Sequence, residues 1–132
     1  MELLKNKIAA FIVMATIMCS SIGCSKDKDD TPANTSHKLV FKAEASSGSS
    51  LNTVVYGYDN SLTSVSSLSG TTWTSPEITA PANASVASVI MNAIGANASS
   101  TLKVQVYVDG VLKKEGNSAG TALSATAQFN LR

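Results

Sequence analysis

The stretch that most limits what this chain can fold into is Leu102–Lys114, LKVQVYVDGVLKK. Leu102, Val104, Val106 and Val108 alternate with Lys103, Gln105, Tyr107 and Asp109. That period of two gives an extended strand one apolar and one polar face. Asp109-Gly110 then reverses the chain. A two-residue type I′ turn would pair Val108 with Val111 and Val106 with Lys113, setting a lysine opposite a core valine. A three-residue loop, Val108-Asp109-Gly110 with Gly110 left-handed, pairs Val106 with Leu112 and Tyr107 with Val111 instead. One residue of slip decides which face is buried, so the second register is the one expected. A valine at Gly110 should be disruptive, because β-branched residues strongly disfavour positive φ.

Other segments carry the same kind of signal. His37–Ala45 sets Leu39, Phe41 and Ala43 on one face and Val40, Lys42 and Glu44 on the other. Ser46–Ser50 is a turn, Leu51–Tyr58 a strand rich in Val and Tyr, and Asp59-Asn60 another turn. Leu62, Val65 and Leu68 are three apart and also suit a short helix. Thr71–Thr79 holds Trp73, and Pro76 confines it to an edge or a bulge. Ala84–Ala93 has apolar residues on both faces, as in a buried strand, and Val111–Glu115 and Ala122–Leu131 complete the set. Short strands with turns at these intervals predict an all-β fold, a single antiparallel immunoglobulin-like β-sandwich of about seven strands over residues 37–132.

Ahead of the strands, Lys5–Asp30 reads KNKIAAFIVMATIMCSSIGCSKDKDD. Lys5 and Lys7 lead into the apolar run Ile8–Met18, and Ile22-Gly23-Cys24 closes the segment, in the order of a secretory signal. A membrane-spanning helix needs about 20 apolar residues, and this run falls well short. The segment looks like a bacterial lipoprotein signal, cut between Gly23 and Cys24, with diacylglycerol on the Cys24 thiol. Ser21 stands where such signals usually carry Leu. The expected organisation is a signal peptide over 1–23, an acylated cysteine and flexible acidic tether over 24–36, and the sandwich over 37–132. The expected address is the cell envelope, at the outer membrane or cell surface, with the bilayer as partner through Cys24. Ser25–Ser36, SKDKDDTPANTS, is polar and lacks hydrophobic period; such a tether spans about 20 Å. Its Asp27, Asp29 and Asp30 resemble the export signal of surface lipoproteins in Bacteroidota, the plainer alternative being a solvated linker.

Basic and acidic residues balance after position 23, eight of each, so the footprint of a nucleic-acid binder is missing. Ser and Thr supply 29 of those 109 residues, which suits strands and the turns between them. With Cys24 acylated, no cysteine remains for a crosslink. His37 is the sole histidine, so neither a zinc site nor a nucleophile dyad can be assembled from the usual ligands, and His37 is expected to be an exposed linker residue. Asp59 and Asp109 sit where Asp supports a turn. No metal, cofactor or catalytic site is expected, and the chain is expected not to be an enzyme. Tyr56 and Tyr58 share a strand face, and Tyr107 points away from the face of Val104 and Val106. Standing together in solvent, the three rings would form a face for a glycan, an apolar ligand or a partner. The alternative is cross-strand packing that protects a sheet face. Trp73 is expected to plug the space between two sheets.

The hairpin, with Trp73 before it and the Gly120–Leu131 segment after it, resembles the MmpS family, small accessory proteins of mycobacterial lipid and siderophore exporters. More closely it is similar to lipoprotein relatives of that family in Bacteroidota. The residues that carry the resemblance are Leu39-Val40-Phe41-Lys42-Ala43, Trp73, and Val104-Gln105-Val106-Tyr107-Val108-Asp109-Gly110 with the lysines behind it. The resemblance implies an immunoglobulin-like sandwich outside a membrane and an accessory role beside an envelope transporter. This chain departs from the family in having a lipid anchor in place of a membrane helix, and in lacking the family's cysteine pair.

Overall fold

The computed structural model describes residues 35–132. The expected signal peptide, with Gly23, Cys24 and the expected tether through residue 34, lies outside the described residues. Nine strands follow in order: β1 (His37–Ala45), β2 (Ser50–Tyr58), β3 (Ser61–Val65), β4 (Thr72–Thr74), β5 (Ile78–Ala80), β6 (Val86–Ile94), β7 (Thr101–Val108), β8 (Val111–Ala119) and β9 (Ala122–Asn130). They form two antiparallel sheets packed as a sandwich. In the first, β1 is flanked by β7 on one side and by β4 and β5 on the other, with β8 beyond β7. The second runs β3-β2-β6-β9.

The alternation seen in the sequence builds the core. Leu39, Phe41, Val104 and Val106 from the first sheet and Val54, Val89 and Met91 from the second are fully buried. Among the described residues, no buried side-chain nitrogen or oxygen lacks a hydrogen-bond partner. The count exceeds seven for two reasons. The 62–68 stretch supplies a strand, Ser61–Val65, rather than a short helix. The Trp73 segment is one edge strand cut in two: β4 pairs with the second half of β1 and β5 with its start. Between them, Ser75 N–H donates to the Phe41 carbonyl (2.8 Å), and the Phe41 N–H donates to Ser75 Oγ (2.9 Å). A hydroxyl thus replaces the ladder carbonyl where Pro76 interrupts pairing.

β6 corrects an expectation. Val89 and Met91 face the core, but Ile90 and Ile94 point outward and are exposed, so the strand is buried on one face only. In β2, a bulge at Asn52 restores alternation: Leu51 and Val54 lie three apart, yet both are buried.

The hairpin register is a second correction. Val108 pairs with Val111 and Tyr107 with Leu112 across the two-residue turn Asp109-Gly110, whose φ values of 52° and 83° are those of type I′. The three-residue loop is not formed. A bulge between Val106 and Tyr107 skips Lys113 and pairs Val106 with Lys114, so a lysine does stand across from a core valine. Lys114 is exposed because β8 is an edge strand.

Farther along β8, Gly116 lies directly against the Thr126 carbonyl of β9, and Ser118 Oγ accepts the Ser124 N–H at 3.1 Å. β8 therefore covers backbone groups that β9, an edge strand of the second sheet, would otherwise leave open.

Candidate interaction surface

The two sheets share one pair of ends. His37, the 59–60 turn, the 81–85 loop, the 109–110 turn and Leu131 lie at one end; the 46–49, 66–71, 95–100 and 120–121 connections lie at the other. At the first end each sheet carries an aspartate built into it in the same way. In the first sheet, Asp109 N–H donates to the Lys38 carbonyl (2.8 Å) and its carboxylate accepts the Lys38 N–H (2.9 Å). In the second, Asp59 N–H donates to the Val86 carbonyl (2.9 Å) and its carboxylate accepts the Val86 N–H (2.9 Å) and that of Ser85. Each hairpin turn thus clamps the start of the strand paired beside it. Both aspartates hold positive φ, 46° at Asp59 and 52° at Asp109, which Asp tolerates better than most residues.

His37 is not a free linker residue. It opens β1, is half-buried, and donates from Nδ1 to Asp109 Oδ2 at 2.7 Å. This bond, followed by the Lys38 amide, holds the Asp109 carboxyl below its ordinary value of 3.8. The sequence suggests a local turn role for Asp59 and Asp109; their long-range bonds, to strand residues 27 and 71 positions away, have no sequence signal because pairing brings the partners together.

The three tyrosines do not meet in solvent. Tyr56 is buried, its ring centroid 5.5 Å from Phe41 and 5.2 Å from Trp73, and Tyr58 is half-buried against the same core. An inward ring offers nothing to a ligand, which corrects the expectation of a Tyr56–Tyr58–Tyr107 face. Trp73 is half-buried and packs on the core from the edge strand, opposite Ala43. Tyr107 stands alone on the outer side of the first sheet. Lys42 Nζ lies 4.8 Å from its ring centroid, and Lys38, Val40, Glu77 and Gly110 complete a shallow depression of about 230 Å³ there. Lys38 and Glu77 form an exposed ion pair at 3.7 Å. Among the described residues, no group of three or more His, Cys, Asp or Glu is placed to hold a metal ion.

Charge is divided between the sheets. Lys38, Lys42, Glu44, Lys103, Lys113, Lys114 and Glu115 all belong to strands of the first sheet. The four strands of the second sheet, SLNTVVYGY, SLTSV, VASVIMNAI and ALSATAQFN, contain no charged residue at all. Their outward positions are hydroxyl, amide and small side chains set around Val55, Leu62, Ile90 and Ile94. Strand pairing sets Val55 beside Ile90, and Ile90 beside Thr126. This face is the candidate surface: uncharged, and carrying no aromatic side chain. The chain matches no known family and no curated protein.

Proposed function

We propose that this chain is a lipid-anchored cell-envelope protein whose sandwich is a non-catalytic interaction module, held at the outer membrane or cell surface by diacylglycerol on Cys24. The observation that carries this reading is the division of charge between the sheets. Desolvating a charge costs several kcal/mol unless it is paired, so protein surfaces that become buried are depleted of charge at their centres. The second sheet meets that requirement, while the first keeps the lysines and glutamates that hold a small domain in solution. His37, the first residue of β1, lies at the end with the two aspartate clamps. Resemblance to the MmpS family makes an envelope transporter the partner class proposed for an accessory role.

Two measurements test the reading. Mass spectrometry of the native protein should find an acylated N-terminus at Cys24, and Cys24→Ala should move the protein out of the membrane fraction. A photocrosslinking residue at Asn92, on the second sheet, should give a discrete protein adduct in intact membranes, whereas one at Glu44, on the first, should not. An unmodified Cys24, or adducts from Asn92 no more specific than those from Glu44, would refute it.

A second reading, a glycan- or lipid-binding module, rests on the Tyr107 depression, where one outward ring lies between Lys42 and the Lys38–Glu77 pair. Binding on a glycan array that is lost in Tyr107→Ala would favour it. Binding indifferent to that change would remove it.

A further inference from the structure

The outer face of the second sheet names its own partner. A sugar-binding surface stacks rings on aromatic side chains, and this face has none, since Tyr56 and Tyr58 turn inward. An anionic membrane or a nucleic acid would need cations, and its strands contain none. What remains is an uncharged protein surface, and one such surface is certain to be present: the same face of another copy.

A neutral face is compatible with an isologous contact, because residues on the two-fold axis meet their own symmetry mates and a charge there would meet its like. The first sheet carries Lys42 and Lys103 on its outer side and would meet that repulsion wherever either came near the axis. The geometry also has a centre. Ile90 is the middle residue of β6, an interior strand, and is 40% exposed in the single chain. Val55 lies beside it, and Ile94 (59% exposed) and Leu62 (49%) lie farther out. The strands have nine, five, nine and nine residues. At about 16 Å² of sheet per residue the face offers about 500 Å², so that a pair buries about 1,000 Å², the lower limit for specific association.

We propose that two copies of this chain pack face to face through their β3-β2-β6-β9 sheets, centred on Ile90, as a reversible homodimer. The proposal rests on the interaction-module reading above and adds the identity of the partner. Full-length chains carrying two different affinity tags, expressed together, provide the test. Recovery of one tag through the other from detergent-solubilised membranes is expected, and Ile90→Lys in both copies should lower it at least tenfold. Asn92→Lys, at a fully outward position of the same strand, should do the same and covers the case in which Ile90→Lys fails to fold. Glu44→Lys, on the first sheet, should leave recovery unchanged. Ile90→Cys should also give, on mild oxidation, a disulfide-linked band at twice the chain's mass. No co-recovery, or co-recovery insensitive to both lysine variants, overturns the homodimer. Adducts from Asn92 to a different protein, without the doubled band, overturn it too but leave the interaction-module reading standing. The absence of any adduct from Asn92 removes both.

Discussion

Replacing Gly116 by alanine would put a methyl group where the Thr126 carbonyl already stands. The added Cβ would lie 1.9 Å from that oxygen and 2.7 Å from its carbon, against 3.4 Å or more for an ordinary contact. Both obstacles are backbone, so no rotamer change relieves them; β8 and β9 must part by about 1.5 Å at that level. Overpacking of this kind costs about 1–3 kcal/mol, and parting the strands also loosens the Ser118–Ser124 hydrogen bond, about 1 kcal/mol more. The expected loss is about 2–4 kcal/mol, a Tm lower by about 10–25 °C for a domain of this size. Gly110→Ala is the control, since the same methyl meets nothing within 4 Å and the cost is only that of the left-handed φ of +83°, about 1–2 kcal/mol. Thermal and urea unfolding, followed by circular dichroism on both variants, reads the difference. Gly116→Ala within about 1 kcal/mol of wild type, or no worse than Gly110→Ala, would refute the close approach of the two edge strands.

At Gly110 itself, asparagine should be tolerated and valine should cost at least about 2 kcal/mol, because a β-branched residue at φ +83° is strained; the same unfolding curves rank the two. Ser75→Ala leaves the buried Phe41 N–H without its acceptor and should lose about 1–3 kcal/mol, with faster amide exchange at Phe41. Asp109 has its folded pKa lowered by the His37 and Lys38 bonds, so it adds stability that is fully present above the unfolded value of 3.8 and is lost as pH falls through the folded value. Asp109→Asn should therefore lower stability at neutral pH only slightly, the site being half exposed, and should flatten the acid limb of the stability curve. An acid limb unchanged by the substitution would rule out the clamp as its source.

Much of the fold is legible residue by residue. The alternation in His37–Ala45 and Thr101–Val108 predicts which side chains are buried, and the structure buries Leu39, Phe41, Ala43, Val104 and Val106. Pro76 predicts an interrupted edge, and the edge is interrupted there. Where the pattern misleads, a bulge or a neighbour intervenes. The Asp109-Gly110 register turns on Lys113 being skipped, and a skipped residue leaves no trace in a period of two. Ile90 and Val89 are alike in composition, and only the packing of β6 against the first sheet decides that Val89 is buried and Ile90 is not. The tyrosines show the same limit, because shared parity along a strand says that Tyr56 and Tyr58 face one way without saying whether that way is in or out.

The sequence by itself determines an all-β domain behind an N-terminal segment that looks like a lipoprotein signal, because strand period and turn chemistry are local properties that neighbouring residues impose on one another. It also holds the charge-poor run from Ala43 to Thr101, visible as composition. Only the tertiary structure decides that β2, β3 and β6 of this run join β9 in one uncharged face, and that Asp59 and Asp109 clamp residues far away in the chain. Which strands lie side by side depends on burial summed over the whole sandwich, and no segment carries that sum alone.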